Sequence, residues 1–392
     1  MPLVQNTLPA TAYVIERISG KNPVILEAHY AGEVRCPCCD SARLRKKDRF
    51  VRKLRHESLG ARRCMLHLTG YKYHCQECGR YFHQRFPGIL PYKRSTEGFR
   101  REVFEKHFDG ICQSRLAQRL RMGQATVERW FHEFLERKMA EMKNNPCPRE
   151  LGIDEHYFTR KKGYATTLCD LEHHRVYDVT LGRSVQALEA YFQRLKEPER
   201  VELVCMDMAE TYRSLVRRYL PRARIVADRF HVIKLVNHHF LATWRELDPV
   251  GSKNRGLLSL MRRHRCNLSA EQYQRLQDYF QEQMPALGPI WSFKQKLCEL
   301  LLIKTRTKRQ CRRLIPRLIE AFEALKASGF DSLKTLGESL ERWQDEIVCM
   351  WRFSKNNGIT EGFHNKMETI NRRAYGFKNF ENYRLRVKVM CS

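Results

Sequence analysis

Two lines of sequence decide how this chain is read: Val201-Glu-Leu-Val-Cys-Met206-Asp207 and Ala223-Arg-Ile-Val-Ala227-Asp228-Arg-Phe-His231. Each is a short apolar run that ends on an aspartate. Between them, residues 208–220 carry Leu215, Val216 and Tyr219 at helical spacing and stop at Pro221. Strand, acid, helix, strand, acid is the order of an α/β sheet whose strand ends present carboxylates. Desolvating a carboxylate is costly unless it is paired or holds a cation. An aspartate before a helix also serves as an N-cap, so both readings of Asp207 stand at this point.

Around this centre lie 392 residues, enough for two to four domains, with 42% hydrophobic and 10% aromatic content that indicates globular structure. The formal net charge of +28 points to a polyanionic partner, nucleic acid before a membrane surface. No apolar run approaches the roughly 20 residues of a bilayer span, so no membrane role is expected. The first residues have neither a basic region nor an apolar stretch of a secretion signal. Most of the 15 cysteines are scattered singly through apolar segments, which suits reduced thiols in the cytoplasm.

Four cysteines differ. Cys36-Pro-Cys-Cys39 and Cys75-Gln-Glu-Cys78-Gly each form a C-x-x-C knuckle, and two knuckles complete a closed, structural Zn²⁺ site. Cys38, Cys64, His67 and His74 are alternatives without the knuckle spacing. Residues 13–18 and 24–30 read as a hairpin, and residues 1–92 as a zinc ribbon. The excursion at 41–72 holds eleven Lys/Arg against Asp48 and Glu57, and its Arg45, Lys46, Lys47, Arg52 and Lys53 are expected to meet phosphates. Residues 93–148 read as a helix-turn-helix and linker. Segments 99–108, 113–120 and 124–142 have helical spacing, Arg121-Met-Gly123 makes the turn, and residues 144–148 form the linker. On that reading Gln124, Thr126, Glu128 and Arg129 approach base edges.

Residues 149–231 begin the sheet. Strands at 150–158 (with Asp154 in the middle), 164–170 and 175–180 form a meander, followed by a helix at 184–196 and the strand that reaches Asp207. That order is the order of the ribonuclease H-like fold, in which the first and fourth strands are neighbours. Asp154 and Asp207 would then share Mg²⁺ ions as hard oxygen ligands. Residues 232–351 read as an all-helical, basic insertion, punctuated at Asp248-Pro249, Met284-Pro285, Gly288-Pro289 and Ser328-Gly329. No acid occurs from Lys304 to Arg317, and DNA contact by this insertion is left open. Trp244 and Trp291 read as core. Residues 352–392 return to the sheet domain through a loop and a helix with Thr360 as N-cap and Glu361 in its first turn. Lys366, Arg372 and Arg373 are available to phosphates.

Taken together and in order, the zinc knuckles, the helix-turn-helix, Gly152-Ile-Asp154-Glu155, Asp207-Met208 with Tyr212, Ala227-Asp228-Arg-Phe-His231 and Thr360-Glu361-Gly-Phe-His-Asn365-Lys366 resemble the ISL-three (ISL3) family of bacterial insertion-sequence transposases. The resemblance runs over nearly the whole chain. It implies a multidomain α/β protein: a zinc ribbon, a helix-turn-helix, and an RNase H-like mixed-sheet catalytic core with a helical insertion before the glutamate. It also implies a DDE triad of Asp154, Asp207 and Glu361, with Asp228 and His231 matching a supporting D-x-x-H motif. Two catalytic Mg²⁺ ions (or Mn²⁺), one structural Zn²⁺, terminal inverted repeats and target DNA as partners, and a homodimer or larger assembly in a bacterial, nucleoid-associated cytoplasm complete the expectation. The rival reading is a catalytically inactive zinc-ribbon and helix-turn-helix regulator on the same scaffold.

Overall fold

The computed structural model describes residues 12–141, 146–353 and 358–392. Two compact units divide the chain, residues 1–140 and 141–392. The start of the expected linker (144–145), residue 142 of the third helix and the expected loop at 354–357 lie outside the described residues.

In the first unit, β1 (Tyr13–Ser19) and β2 (Val24–Tyr30) form the expected antiparallel hairpin. The basic excursion is a long second hairpin, β3 (Leu44–Leu59) and β4 (Arg62–Cys75), turning at Gly60, whose φ of 63° suits a residue without Cβ. With β5 (Tyr81–His83) the order is β1-β2-β4-β3, with β5 on β4. Alternation puts Cys64, Leu66 and Leu68 inward against Val24, Leu26, Ala28 and Leu54, and most β3 cations outward. Helices α1 (Glu97–Phe108), α2 (Gln113–Leu120) and α3 (Gln124–Glu141) follow. They pack around Phe99, Val103, Leu116, Leu120 and Val127. Arg121, in the left-handed region at φ 47°, ends α2 and turns the chain into α3.

The second unit is built on a mixed sheet of β6 (Glu150–Thr159), β7 (Gly163–Asp170), β8 (Arg175–Leu181), β9 (Leu203–Met206) and β10 (Arg224–Ala227), ordered β10-β9-β6-β7-β8. Thus the first and fourth strands of this sheet are parallel neighbours, as their order predicts. The linking helices are α4 (Val185–Phe192) and α5 (Glu210–Tyr219). After β10 come α6 (Arg229–Leu247), α7 (Arg255–Arg262), α8 (Ala270–Glu282), α9 (Leu287–Leu301), α10 (Lys308–Lys326), α11 (Asp331–Arg342) and α12 (Gln344–Arg352). The chain closes with α13 (Gly358–Arg373) and α14 (Phe380–Met390).

Alternation in β9 sends Val204 and Met206 into one apolar layer and Cys205 into the other, so helices cover both faces of the sheet. Helices α13 and α14 fill the second face through Met367, Ile370, Tyr383 and Val387. The 232–351 region is all-helical, but most of it is not peripheral. Val232 and Val236 of α6 and apolar stripes of α10–α12 (Leu318, Phe322, Leu336, Ile347, Trp351) belong to the first layer. Only the far end of α6 with α7, α8 and the start of α9 closes a separate core, around Trp244 and Trp291. Gly288-Pro289 does not interrupt a helix. Pro289 sits in the first turn of α9, where its missing N–H has no intrahelical role. Likewise Thr360 is not outside the helix as an N-cap: it lies within the first turn of α13, fully buried.

Candidate functional sites: a cysteine cluster and a row of strand-end carboxylates

The four knuckle cysteines converge. Their Sγ atoms all lie within 4.8 Å of one another, with Cys36 to Cys78 and Cys39 to Cys75 both at 3.6 Å. Tetrahedral zinc with bonds of roughly 2.3 Å needs thiolates roughly 3.8 Å apart, so the donor set and spacing fit Zn²⁺. Each knuckle turns the same way: Asp40 N–H donates to the Cys36 carbonyl and Gly79 N–H to the Cys75 carbonyl, both at 3.0 Å, and both residues have positive φ. Cys38 points outward and Cys64 lies in the sheet core, which removes both as ligands.

The second site comes from strand register. Ile153 pairs with Met206, and Met206 with Ala227. The next residue on each strand is an aspartate, so Asp154, Asp207 and Asp228 stand in one row across three parallel strands. Asp207, on the middle strand, adjoins both others. Asp154 is 7% exposed and Asp228 2%. Burial, with Asp207 and Asp228 nearby, pushes the Asp154 carboxyl up to about 6, although the Glu155 N–H (2.8 Å) and His231 favour its ionised form. Burial also raises Asp207, with Glu155 and Asp228 adding to the effect and His231 opposing it. Among the described residues Asp207 Oδ1 is buried without a hydrogen-bond partner. A buried, unpartnered carboxylate oxygen beside like charges fits a hard divalent cation. His231 Nε2 stands 3.7 Å from Asp228 Oδ2, one turn into α6.

Glu361 is not part of that row. It is exposed in the first turn of α13, and among the described residues the three carboxylates of the expected triad do not form a close cluster. One turn later on the same helix face, His364 Nδ1 comes within 3.9 Å of Asp154 Oδ2, so that face of α13 looks toward the row. His364 also belongs to a polar network that sequence reasoning missed. Thr167 Oγ1 bridges His156 Nδ1 (2.9 Å) and His364 Nε2 (3.1 Å), and Tyr383 Oη meets His156 Nε2 at 2.9 Å. Burial holds His156 down near 3, helped by His364, and His364 near 4, so both rings are neutral at pH 7. The only signal in sequence was His364's place beside Glu361; nothing local joined it to His156. Beside Asp207 a cavity of about 430 Å³ opens between His231, Lys234 and His238 of α6 and Ser339, Arg342 and Trp343.

The cations expected to meet DNA divide. Arg45, Lys46, Lys47 and Lys53 are exposed on β3, whereas Arg52 is half-buried and donates to the Leu90 and Lys93 carbonyls at 2.7 and 2.8 Å. Gln124 and Arg129 are exposed and Thr126 half-exposed at the start of α3. Lys366 donates to the Met390 carbonyl and Arg372 pairs with Glu368, while Arg373 is exposed. No helix among the described residues is long and apolar enough to cross a membrane.

Comparison with known proteins bears on the cysteine cluster and on the family of the chain. Residues 32–78, which span the four cysteines, match the zinc-finger of transposases IS204/IS1001/IS1096/IS1165. The transposase for insertion sequence element IS1001 from Bordetella parapertussis is 24% identical over 364 residues, covering 90% of this chain and 87% of that protein. The ISL3 transposase family model matches residues 151–387, from the first strand of the mixed sheet into the last helix, and the chain belongs to that family.

Proposed function

We propose that this transposase acts as a DDE enzyme: its first unit binds the terminal inverted repeats of its element, and its second, RNase H-like unit cleaves DNA strands and joins them to a target. The observation that carries this reading is the pairing of β6 with β9, which sets Asp154 beside Asp207 with an unpartnered buried oxygen. Asp154 and Asp207 would hold Mg²⁺, and Glu361, on the helix face that carries His364, would complete the ligand set. Bound divalent ions would supply activation of the attacking oxygen and stabilisation of the leaving oxygen. The chain's own part is to set the carboxylates side by side at adjoining strand ends, where a bound cation would favour the ionised form that burial and like charges oppose, and to fix Asp154 through the Glu155 N–H. Asp228 and His231 support the row from the neighbouring strand end. In the first unit, α2, the Arg121 turn and α3 would act as a helix-turn-helix, whose Gln124, Thr126 and Arg129 would read bases while the β3 cations grip the backbone.

The test is Asp207→Asn in the full chain. Mg²⁺-dependent cleavage of terminal-repeat DNA should fall by at least about 10³-fold, on the scale of other essential electrostatic groups, with repeat binding unchanged. The Mg²⁺-induced rise in thermal midpoint should vanish, and the metal-free midpoint should not fall, because one buried like charge is gone. Undiminished cleavage by Asp207→Asn would reject the assignment. Wild-type protein that binds repeats but never cleaves would favour the inactive regulator.

A further inference from the structure

One run of charge in the second unit lies outside the sites described above. From residue 304 to 317 the chain carries Lys304, Arg306, Lys308, Arg309, Arg312, Arg313 and Arg317 and no acid. All seven are exposed. Helix α10 turns Cys311, Leu318, Phe322 and Leu325 inward, and 309, 313 and 317 follow one another at i, i+4 spacing with 308 and 312 alongside. They therefore form a continuous stripe along the first half of the helix. No acid forms an ion pair with any of the seven among the described residues. At the other end of the same helix Lys326 is paired with both Glu323 and Glu341.

Placement argues against a merely solvated face. The positive end of the helix dipole is at the N-terminus, where cations are unfavourable and acids favourable. Helix α10 has no acid in its first turn and two cations there, and its N-terminus is instead secured by a Thr307–Gln310 capping box. The arrangement disfavours the free helix and adds the helix's own field to the attraction for an anion. The stripe is also tied to the carboxylate row. Arg229, the residue after Asp228, donates to the Met350 carbonyl at 2.7 Å and to the Ile303 carbonyl at 3.4 Å, and Arg306 N–H donates to the Trp351 carbonyl at 2.7 Å. The basic segment thus starts one arginine side chain from the strand end that holds Asp228.

We infer that residues 304–317 form a second DNA-binding surface, which grips backbone phosphates of the duplex next to the reacting strand without reading sequence. This rests on the reading of the second unit as the DNA-processing one, but not on the identity of its metal ligands. The experiment is full-chain Lys308→Gln/Arg309→Gln/Arg312→Gln/Arg313→Gln, titrated by fluorescence anisotropy against duplexes with and without a terminal repeat over a range of salt. The slope of log K against log salt should become shallower by about 0.9 per lost phosphate contact. Affinity at 0.1 M salt should fall at least about tenfold, by the same factor on both duplexes. The charge-keeping variant Arg309→Lys/Arg312→Lys/Arg313→Lys should stay near wild type, and single Arg313→Gln should move the slope by one step should the fourfold variant fold poorly. An unchanged slope, or a loss confined to the repeat duplex, overturns the surface while leaving the carboxylate assignment intact. Lost cleavage in Asp207→Asn with this slope change preserved separates the two claims from the other side.

Discussion

Two buried acids of the second unit, Asp178 and Glu346, are each held by an arginine. Asp178 accepts two hydrogen bonds from Arg384 at 2.8 and 2.7 Å and lies 3.2 Å from Lys388. Glu346 is bound through two nitrogens by Arg213, both at 2.9 Å. Among the described residues Asp207 has no arginine or lysine ion pair, which is why the row of aspartates is proposed as a metal site and these pairs read as structure. The two kinds respond oppositely to substitution. Burial would raise the Asp178 carboxyl, but Arg384 and Lys388 overcome it and hold it below its ordinary value. A depressed carboxyl stabilises above its unfolded value, roughly 3.9, and that stabilisation is lost as pH falls through the folded value. Arg384→Met should therefore cost roughly 2–3 kcal/mol at pH 7, less than breaking a fully isolated buried pair because Lys388 remains. Thermal midpoints should show the gap between variant and wild type closing below pH 4. A gap of equal size at pH 3 and 7 would assign the effect to packing.

Among the elements, the two zinc knuckles are the most fully encoded in local sequence. C-x-x-C followed by a residue at positive φ occurs twice, with Asp40 in one and Gly79 in the other, and the long β3–β4 hairpin returns the second knuckle to the first. Cys38→Ser should leave one zinc per chain, measured by metal analysis of the purified protein, because Cys38 lies outside the cluster. Cys75→Ser should lose the zinc and with it DNA binding, since the metal closes the end of the sheet whose β3 cations face outward. Retention of stoichiometric zinc by Cys75→Ser would mean another ligand set. Helix α9 shows where local punctuation misleads. Gly288-Pro289 looks like a break, yet a proline in the first turn is compatible with a helix, and only the packing of Leu287 and Trp291 reveals that the helix has begun.

For the molecule as a whole, two compact units, with a zinc site in the first and Mg²⁺ proposed for the second, predict separable stability. Calorimetry of the full chain should resolve two transitions. A zinc-selective chelator should remove the one belonging to residues 1–140, and added Mg²⁺ should raise only the other. A single transition moved by both treatments would contradict that independence. Much of this architecture was already legible in local pattern. Apolar period, knuckle spacing and strand-then-aspartate order are properties of neighbouring residues, and they specified the zinc knuckles, the three following helices and the succession of strands; Asp154 beside Asp207 was expected only through the fold whose strand order that succession matches. Which helices of 232–351 are core depended on long-range burial, because an apolar stripe states that a helix must be covered but not by what. The fate of each cation was equally non-local: Arg52 and Lys366 are engaged by distant carbonyls, whereas the stripe on α10 pairs with no acid among the described residues. The approach of His364 to Asp154, and the position of Glu361 outside the row, follow from how α13 docks on the sheet. Spacing along the chain carries no distance between residues two hundred positions apart; only packing does.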